Sequence, residues 1–349
     1  MLARQTGFLL ALGLPLAGAS GSDWPAAPPP SLASNPPPVR VVEVQDPQAT
    51  DLFLPRLDRV RAMADRGIMA LTGKATVADA WRSLVSTQDV VGLKVYSAPG
   101  ATSGTRPAVA AAVVGGLLAA GLPPRHIVVW DRHASDLREA GFFDLADRYG
   151  VRVEGAADVG YDEKTYYENP LLGNLMWGDL EFGKTGEVVG RNSFVSKLVS
   201  RHLTKIINLS PLLNNNLAGV CGNLYSLALG SVDNTRRFES EARLMATAVP
   251  ELYALPALSD HVVLSIVDGL LCQYEGGEVT MLHYATTLNQ LRFSRDPVAL
   301  DVLSVQELDR QRRFAGMLPQ KPNLELYQNA ALLELGVSDV NKIKVETLP

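Results

Sequence analysis

Only two cysteines occur in this chain of 349 residues, Cys221 and Cys272. Neither belongs to a CxxC or CxxCH pattern, so no iron–sulfur cluster or c-type haem is expected. The two are compatible with one disulfide or with two buried free thiols. Basic residues are not in excess. The formal net charge is −5, which argues against a general nucleic-acid binder. Charged residues make up 20% and hydrophobic residues 47%, the profile of a globular protein with a sizeable core. No internal repeat is visible.

The chain also lacks an apolar run long enough to span a membrane with ease. GFLLALGLPLAG, residues 7–18, is short and interrupted by Pro15. With Arg4 before it and Ala17-Gly18-Ala19 after it, residues 1–19 read as a secretory signal peptide. No twin arginine precedes the run, so a Sec-type signal is expected, with export to the periplasm or beyond and no stable membrane span after cleavage. An uncleaved N-terminal anchor is the alternative. Residues 20–38 are rich in proline, alanine and serine and read as a disordered linker. The folded domain is expected over 39–349.

The stretch from Lys205 to Phe238, KIINLSPLLNNNLAGVCGNLYSLALGSVDNTRRF, carries the most information. Ile206 to Leu209 is a continuous apolar run, as in a strand buried on both faces. Ser210-Pro211 is expected to end it. Asn214, Asn215 or Asn216 would cap a following helix bearing Leu217, Val220, Cys221, Leu224 and Leu227. Gly219 and Gly222 suggest close approach by another group, and Gly230 a helix stop. Asn208, Asn214, Asn215, Asn223, Asp233, Asn234, Arg236 and Arg237 are candidate ligand contacts. The guanidinium forks of Arg236 and Arg237 match a carboxylate or phosphate; the alternative is a solvated basic turn.

Elsewhere, strands are expected at 39–44, 89–96, 126–130, 151–153 and 261–267, with a closing strand in KIKVE. Helices are expected at 53–72, 76–86, after Pro107, around Leu137, and at 239–253, 296–312 and 324–335. Asp296 and Pro297 suit N-cap and first helical position. Residues 155–190 read as a lid or insertion, or as a short hairpin pair, and 193–203 as either strand or helix. The alternation predicts an α/β fold with a mostly parallel sheet and helices on both faces, with 39–190 and 191–349 as candidate lobes.

SAPGATSGTRP, residues 97–107, lies between a strand and a helix, an arrangement that exposes backbone N–H groups to an anion. Ser97, Thr102, Ser103, Gly104, Thr105 and Arg106 are its candidate contacts. No GKS or GKT follows, so it is not a Walker A loop, and an ordinary turn explains the same residues. Lys94 is polar inside an apolar strand, which favours a functional role.

LAGVCGNLYSLALGSVDNTRRF, VGLKV, IVVWD, LSIVDGL and DPVALDV together resemble the Domain of Unknown Function 362 family of bacteria and archaea. The matches run in family order over roughly residues 39–349. The family's name assigns no activity, and its likeness to lactate-racemase-type proteins is an analogy of fold. Many relatives carry a lysine, an acid and a histidine where this chain has Leu213, Asn214 and Asn215. They carry lysine-asparagine where it has Tyr225-Ser226. The resemblance implies that any metal or proton chemistry at those positions is lost here.

Ligands of open parallel sheets bind outside the carboxyl ends of the strands. Four expected strands end in polar residues: Tyr96-Ser97, Asp131 with His133, Asn208 with Ser210, and Asp268. Asp131, His133 and Asp268 are the candidate catalytic residues, as acid and base or as ligands of a divalent metal. Turn and capping roles are the bland reading of the same residues. His202, His261 and His283 have no visible partner and read as structural. The expected functions are an exported enzyme acting on a small anionic substrate, a non-catalytic binding protein, or a structural subunit of an exported complex. Oligomeric state is not legible. The signal reading predicts a mature N-terminus near Ser20; Edman sequencing of exported protein should return it, and Met1 would overturn it.

Overall fold

VRVVEVQ forms the first strand of the fold, β1 (Val39–Gln45). The structure, a computed structural model, describes residues 38–173, 183, 190–318 and 323–349. The expected signal and all but the last residue of the expected linker lie outside the described residues. A small hairpin, β2 (Thr50–Asp51) and β3 (Leu54–Pro55), precedes helices α1 (Leu57–Thr72) and α2 (Val77–Arg82). Strand–helix units follow: β4 (Val91–Val95) with α3 (Gly100–Ser103) and α4 (Pro107–Ala119), then β5 (Ile127–Asp131) with α5 (Ala134–Glu139) and α6 (Phe143–Tyr149). Next come β6 (Arg152–Gly155), α7 (Ala156–Val159) and an antiparallel ribbon, β7 (Tyr161–Glu168) with β8 (Asn192–Ser196). The second half holds β9 (Lys205–Asn215), β10 (Gly219–Val220), α8 (Asn223–Ser231), α9 (Ala242–Tyr253), α10 (Pro256–Ser259), β11 (Val262–Gln273) and β12 (Ala285–Ser294). It ends with α11 (Pro297–Phe314), α12 (Leu324–Leu332) and β13 (Ile343–Leu348).

The main sheet has the order β13-β1-β12-β11-β9-β4-β5-β6, with β10 paired to β9. From β11 to β6 every neighbour is parallel; β12 runs antiparallel to both β11 and β1. The fold is therefore α/β with a mostly parallel sheet. Every residue of VGLKV and IVVWD is buried, which is why those strands read as continuous apolar runs. Alternate residues feed two cores. Leu93 and Val129 pack with α1, α2 and α4 on one face; Val128, Trp130 and Ile206 pack with α8, α9, α11 and α12 on the other.

Strand β4 continues through α4 to β5 on one side, and β9 continues through α8 and α9 to β11 on the other. Crossovers of one hand in opposite directions place their helices on opposite faces. The chain thus changes direction between β4 and β9, at a topological switch point.

Several boundaries differ from expectation. Ser210-Pro211 does not end β9, which runs on to Asn215. Register shifts between Asp268 and Cys272 of β11, opposite Pro211 and Leu212, so the partner strand bulges where proline offers no donor. Asn215 caps no helix. Its Oδ1 accepts from the N–H groups of Leu217 (2.9 Å) and Ala218 (2.7 Å), closing the β9–β10 hairpin. Leu217, Val220 and Cys221 therefore precede α8, and Gly230 lies inside it rather than stopping it. Likewise Asp268-Gly269 is internal to β11. The 155–190 insertion proves to carry the first strand of the ribbon, with 174–182 and 184–189 outside the described residues. The 193–203 segment divides into β8 and a π-helical turn, Leu198–His202. Residues 38–349 form one compact unit, without a lobe boundary at 190. Asp296 does cap α11, accepting from Ala299 N–H at 2.8 Å, and both cysteines are buried free thiols.

The cap of α8 comes from a distance. Buried Asp301 on α11 accepts from Asn223 N–H (2.6 Å), Leu224 N–H (2.9 Å) and Asn223 Nδ2 (2.9 Å). Gly222 leaves room for it, since a Cβ there would sit 2.3 Å from Asp301 Oδ1. Burial pushes the Asp301 carboxyl up to about 7, opposed by the N–H groups it accepts from. The folded protein therefore holds a proton that the unfolded chain releases. Its contribution to stability is full below about pH 4 and is lost as pH rises to about 7. Urea unfolding across that range should show wild-type stability falling relative to Asp301→Asn; a constant difference would refute the assignment.

Candidate functional site

Lys94 points from β4 towards the α8 face with no exposure at all. A buried ammonium needs a partner, and Asp131 at the end of β5 supplies it, at 2.8 Å from Nζ to Oδ1. Nζ also donates to Val95 O at 2.6 Å. The second carboxylate oxygen of Asp131 accepts from both the N–H and the hydroxyl of Ser97, each at 2.7 Å. Burial pushes the Lys94 ammonium below its usual range, and Asp131 opposes that shift. Trp130 and Tyr96 flank the ammonium, their ring centroids 5.6 and 5.9 Å from Nζ. Gly230 closes the cage. A Cβ there would lie 2.3 Å from Lys94 Cε, so α8 can rest on the lysine only through a glycine.

Above this pair, at the switch point, lies a cavity of about 370 Å³, at the small end of the range for small-molecule sites. Its lining includes Asp131, His133, Asn234 and Arg236 of the residues expected from sequence. His133 and Arg236 are exposed, and neither hydrogen-bonds or ion-pairs through its side chain among the described residues. Asn234 adopts φ 46°, a left-handed conformation that asparagine tolerates. Its Nδ2 donates to Gly190 O (2.9 Å) and Asn192 O (2.8 Å), which fixes the amide's orientation.

The other expected residues serve the fold. Arg106 pairs with Asp268, Nη1 to Oδ1 at 3.0 Å, and its N–H donates to Asp268 Oδ2 at 2.9 Å. Asp268 follows Val267 in the alternation of β11 and faces the α4 side, with no place in the cavity. Parallel strands do bring both aspartates to one edge of the sheet, but on opposite faces. The loop expected to cradle an anion is spent internally. Ser103 Oγ donates to Gln273 Oε1 (2.7 Å), Thr105 Oγ1 donates to Leu209 O (2.6 Å), and Thr102 O accepts from Arg106 Nη2 (2.7 Å). Gly104 closes the turn through its N–H to Gly100 O at 3.0 Å. Asn208 donates to Asn223 O at 2.8 Å, and Asn214 accepts from Arg312. Asn223 binds Asp301. Asp233 accepts from Phe194 N–H at 2.6 Å, and Arg237 reaches Ser193 Oγ and Tyr167 O. Asn215 borders a second cavity, of about 450 Å³.

The two cavities share Tyr225, Glu239 and Glu278. Tyr225 Oη and Asn215 Nδ2 both donate to Glu278 Oε1, forming the wall between them. Burial, with Glu278 beside it, pushes the Tyr225 hydroxyl far up; the Tyr96 hydroxyl and the Cys221 thiol are pushed up chiefly by burial too. A thiol so held is no nucleophile. Among the described residues no group of three or more His, Cys, Asp or Glu side chains is placed to hold a metal ion. The trio Asp131, His133 and Asp268 is divided by the sheet.

Sequence reasoning missed Arg132, Asp136, Tyr225, Ser226, Thr235, Glu239 and Glu278 as lining residues. Arg132 and Asp136 flank His133, and Glu239 lies one turn beyond Arg236, so a site centred on those residues would have included them. Glu278 comes from the turn after β11 and carries no sequence signal. Residues 178–185, GDLEFGKT, match the spacing of a phosphate-binding loop. All of them but Gly183 lie outside the described residues, and the elements flanking them, β7 and β8, are an antiparallel pair.

The Lys94–Asp131 pair predicts strong coupling. Lys94→Met should cost about 3–5 kcal/mol, because it strands a buried carboxylate. Lys94→Met with Asp131→Asn should cost less than the sum of the single changes. Additive losses in urea unfolding would mean that the two groups do not depend on each other.

No protein-family model and no curated protein matches this chain. Among solved structures, it is similar to the crystal structure of a structural-genomics target from Thermotoga maritima, at 10% identity and a TM-score of 0.43. The match covers 75% of this chain and 60% of that one, and carries no argument about function.

Proposed function

We propose that this chain binds a small anionic molecule in the switch-point cavity, with Arg236 and Arg132 as its cationic contacts. The carrying observation is Arg236, an exposed guanidinium on the cavity lining with no carboxylate partner among the described residues. Arg132 stands beside it, its Nη1 donating to Thr235 Oγ1 at 2.9 Å. A guanidinium held in place recognises a carboxylate or phosphate with two parallel hydrogen bonds. Non-catalytic binding is the best-supported form of this function, since Asp131 is matched by Lys94 and Asp268 by Arg106. A catalytic form rests on His133, whose imidazole borders the cavity and could transfer a proton.

Membership of the Domain of Unknown Function 362 family belongs to the same reading. It is supported by VGLKV, IVVWD, LSIVDGL and DPVALDV, which stand in family order and include the whole of β4 and β5, much of β11 and the start of α11. Export by a Sec-type signal is likewise proposed, supported by the short apolar run and Ala17-Gly18-Ala19.

Calorimetric titration with inorganic phosphate and with succinate tests the binding function. Arg236→Ala should weaken binding at least about tenfold, or 1.4 kcal/mol, and binding should weaken with added salt. Equal affinity in wild type and variant would refute the role of Arg236.

A further inference from the structure

The main sheet ends on one side at β13, a strand of six residues whose neighbour is β1. Its outer edge presents backbone N–H and C=O groups without a strand partner, a template on which another strand can pair. Lys344, Val345 and Thr347 are exposed along it. The opposite edge is different. There β6 has four residues, and its Arg152 and Glu154 pair with each other at 2.6 Å.

Register with β1 decides which way the side chains of β13 face. Glu346 is opposite Val42 and Leu348 opposite Val44, and both valines belong to the core on the α1 side. Lys344, Glu346 and Leu348 therefore face that side, while Val345, opposite Val41, faces α11. Arg40 holds Glu346 through a single oxygen: Nε and Nη2 donate to Oε2 at 3.0 and 2.7 Å. Among the described residues no donor reaches Oε1, and Lys344 forms no ion pair. A strand with a cation and a half-used carboxylate on one face is charge-complementary to its own reverse.

We propose that two copies of this chain pair through β13, antiparallel about a twofold axis centred on Val345, joining their sheets into one. Opposed residues of an antiparallel pair face the same side of the sheet, so the axis must pass beside a residue rather than between two. Centred on Lys344, the pairing sets that lysine against its own copy. Centred on Glu346, it sets two carboxylates together. Centred on Val345, it sets Lys344 of each copy opposite Glu346 of the other, with Val345 against Val345 on the α11 side. Like charges directly opposite destabilise a sheet and opposite charges support it, so charge selects this register of the three. On the α11 side, the depression beside Val345 shares Gln306 and Arg310 with one that reaches Phe314, 78% exposed, so apolar surface continues beyond the strand. A contact of this kind uses the same patch on both copies and closes at two. It does not depend on the anion site, whose lining contains no residue of β13.

Sedimentation velocity over a concentration series tests the pairing. The wild-type protein should become a dimer as concentration rises. Lys344→Glu should raise the dissociation constant at least about tenfold, since both cross-strand pairs turn repulsive. Combining Lys344→Glu with Glu346→Lys should restore the dimer, because the pairs return with their signs exchanged; circular dichroism checks that each variant is folded. Hydrogen exchange of the wild type should show the β13 amides better protected in the dimer than in the monomer. A monomer at every concentration would overturn the proposal and would mean that Lys344 keeps the edge bare. A dimer unmoved by Lys344→Glu, or not restored by the double change in a folded protein, would overturn the register centred on Val345. A wild-type dimer whose β13 amides exchange as they do in the monomer would overturn the pairing whether or not the double variant folds.

Discussion

A lysine ammonium with no solvent exposure constrains everything at the carboxyl edge of this sheet. Lys94 sits within β4, where only small or apolar groups are cheap to bury. Its charge must be met within reach of Nζ, and the end of the neighbouring strand provides Asp131. That carboxylate then holds Ser97, so the turn leaving β4 is fixed by the same contact. On the other side α8 has to cross the lysine, which only Gly230 allows. One ion pair thus sets the relative positions of two strands, a loop and a helix. A buried pair of this kind specifies an arrangement more than it stabilises the fold, because desolvation offsets much of the Coulomb attraction.

The fold was legible where the physics is local. Strands buried on both faces cannot alternate polar and apolar residues, and VGLKV and IVVWD each lie in the sheet as expected, as does the partly exposed VRVVEV. The Asp296-Pro297 cap was readable because cap and helix are adjacent. Reading failed where a partner far along the chain decides. Pro211 would end an isolated ladder, yet β11 bulges opposite it and lets β9 continue. The asparagines after it resemble helix caps, but the cap of α8 is Asp301, which no local window contains.

The site divides along a similar line. Strand direction gathered Asp131 and His133 at the cavity, though not Ser97, Asn208 or Asp268; Asn234 and Arg236, expected as ligand contacts on their own chemistry, join them. Direction does not decide the face. Lys94 is level with Asn208 and Ser265, while Asp268 lies further towards the carboxyl edge, opposite Pro211, and on the other side of the sheet, because the parity of each strand is set by its register with its neighbours. Arg106 takes Asp268 on the α4 side, while Lys94 takes Asp131 on the α8 side. Two carboxylates that looked like an acid–base pair are each the counter-ion of a buried cation.

The polar groups on the cavity lining come mostly from loops. Residues 132, 133, 136, 234–236, 239 and 278 line the cavity, while the strand ends beneath them are saturated by their own contacts. A floor saturated in this way holds its shape by its own contacts. Loop residues can change chemistry without disturbing the sheet. Tyr225 and Ser226 mark the boundary between the two roles. They belong to α8, whose position is locked by Gly230 over Lys94 and by Asp301 at its N-terminus, yet their side chains face the cavity. A change of residue there alters the wall without moving the helix, so the chemistry of this wall is separable from the stability of the fold that carries it.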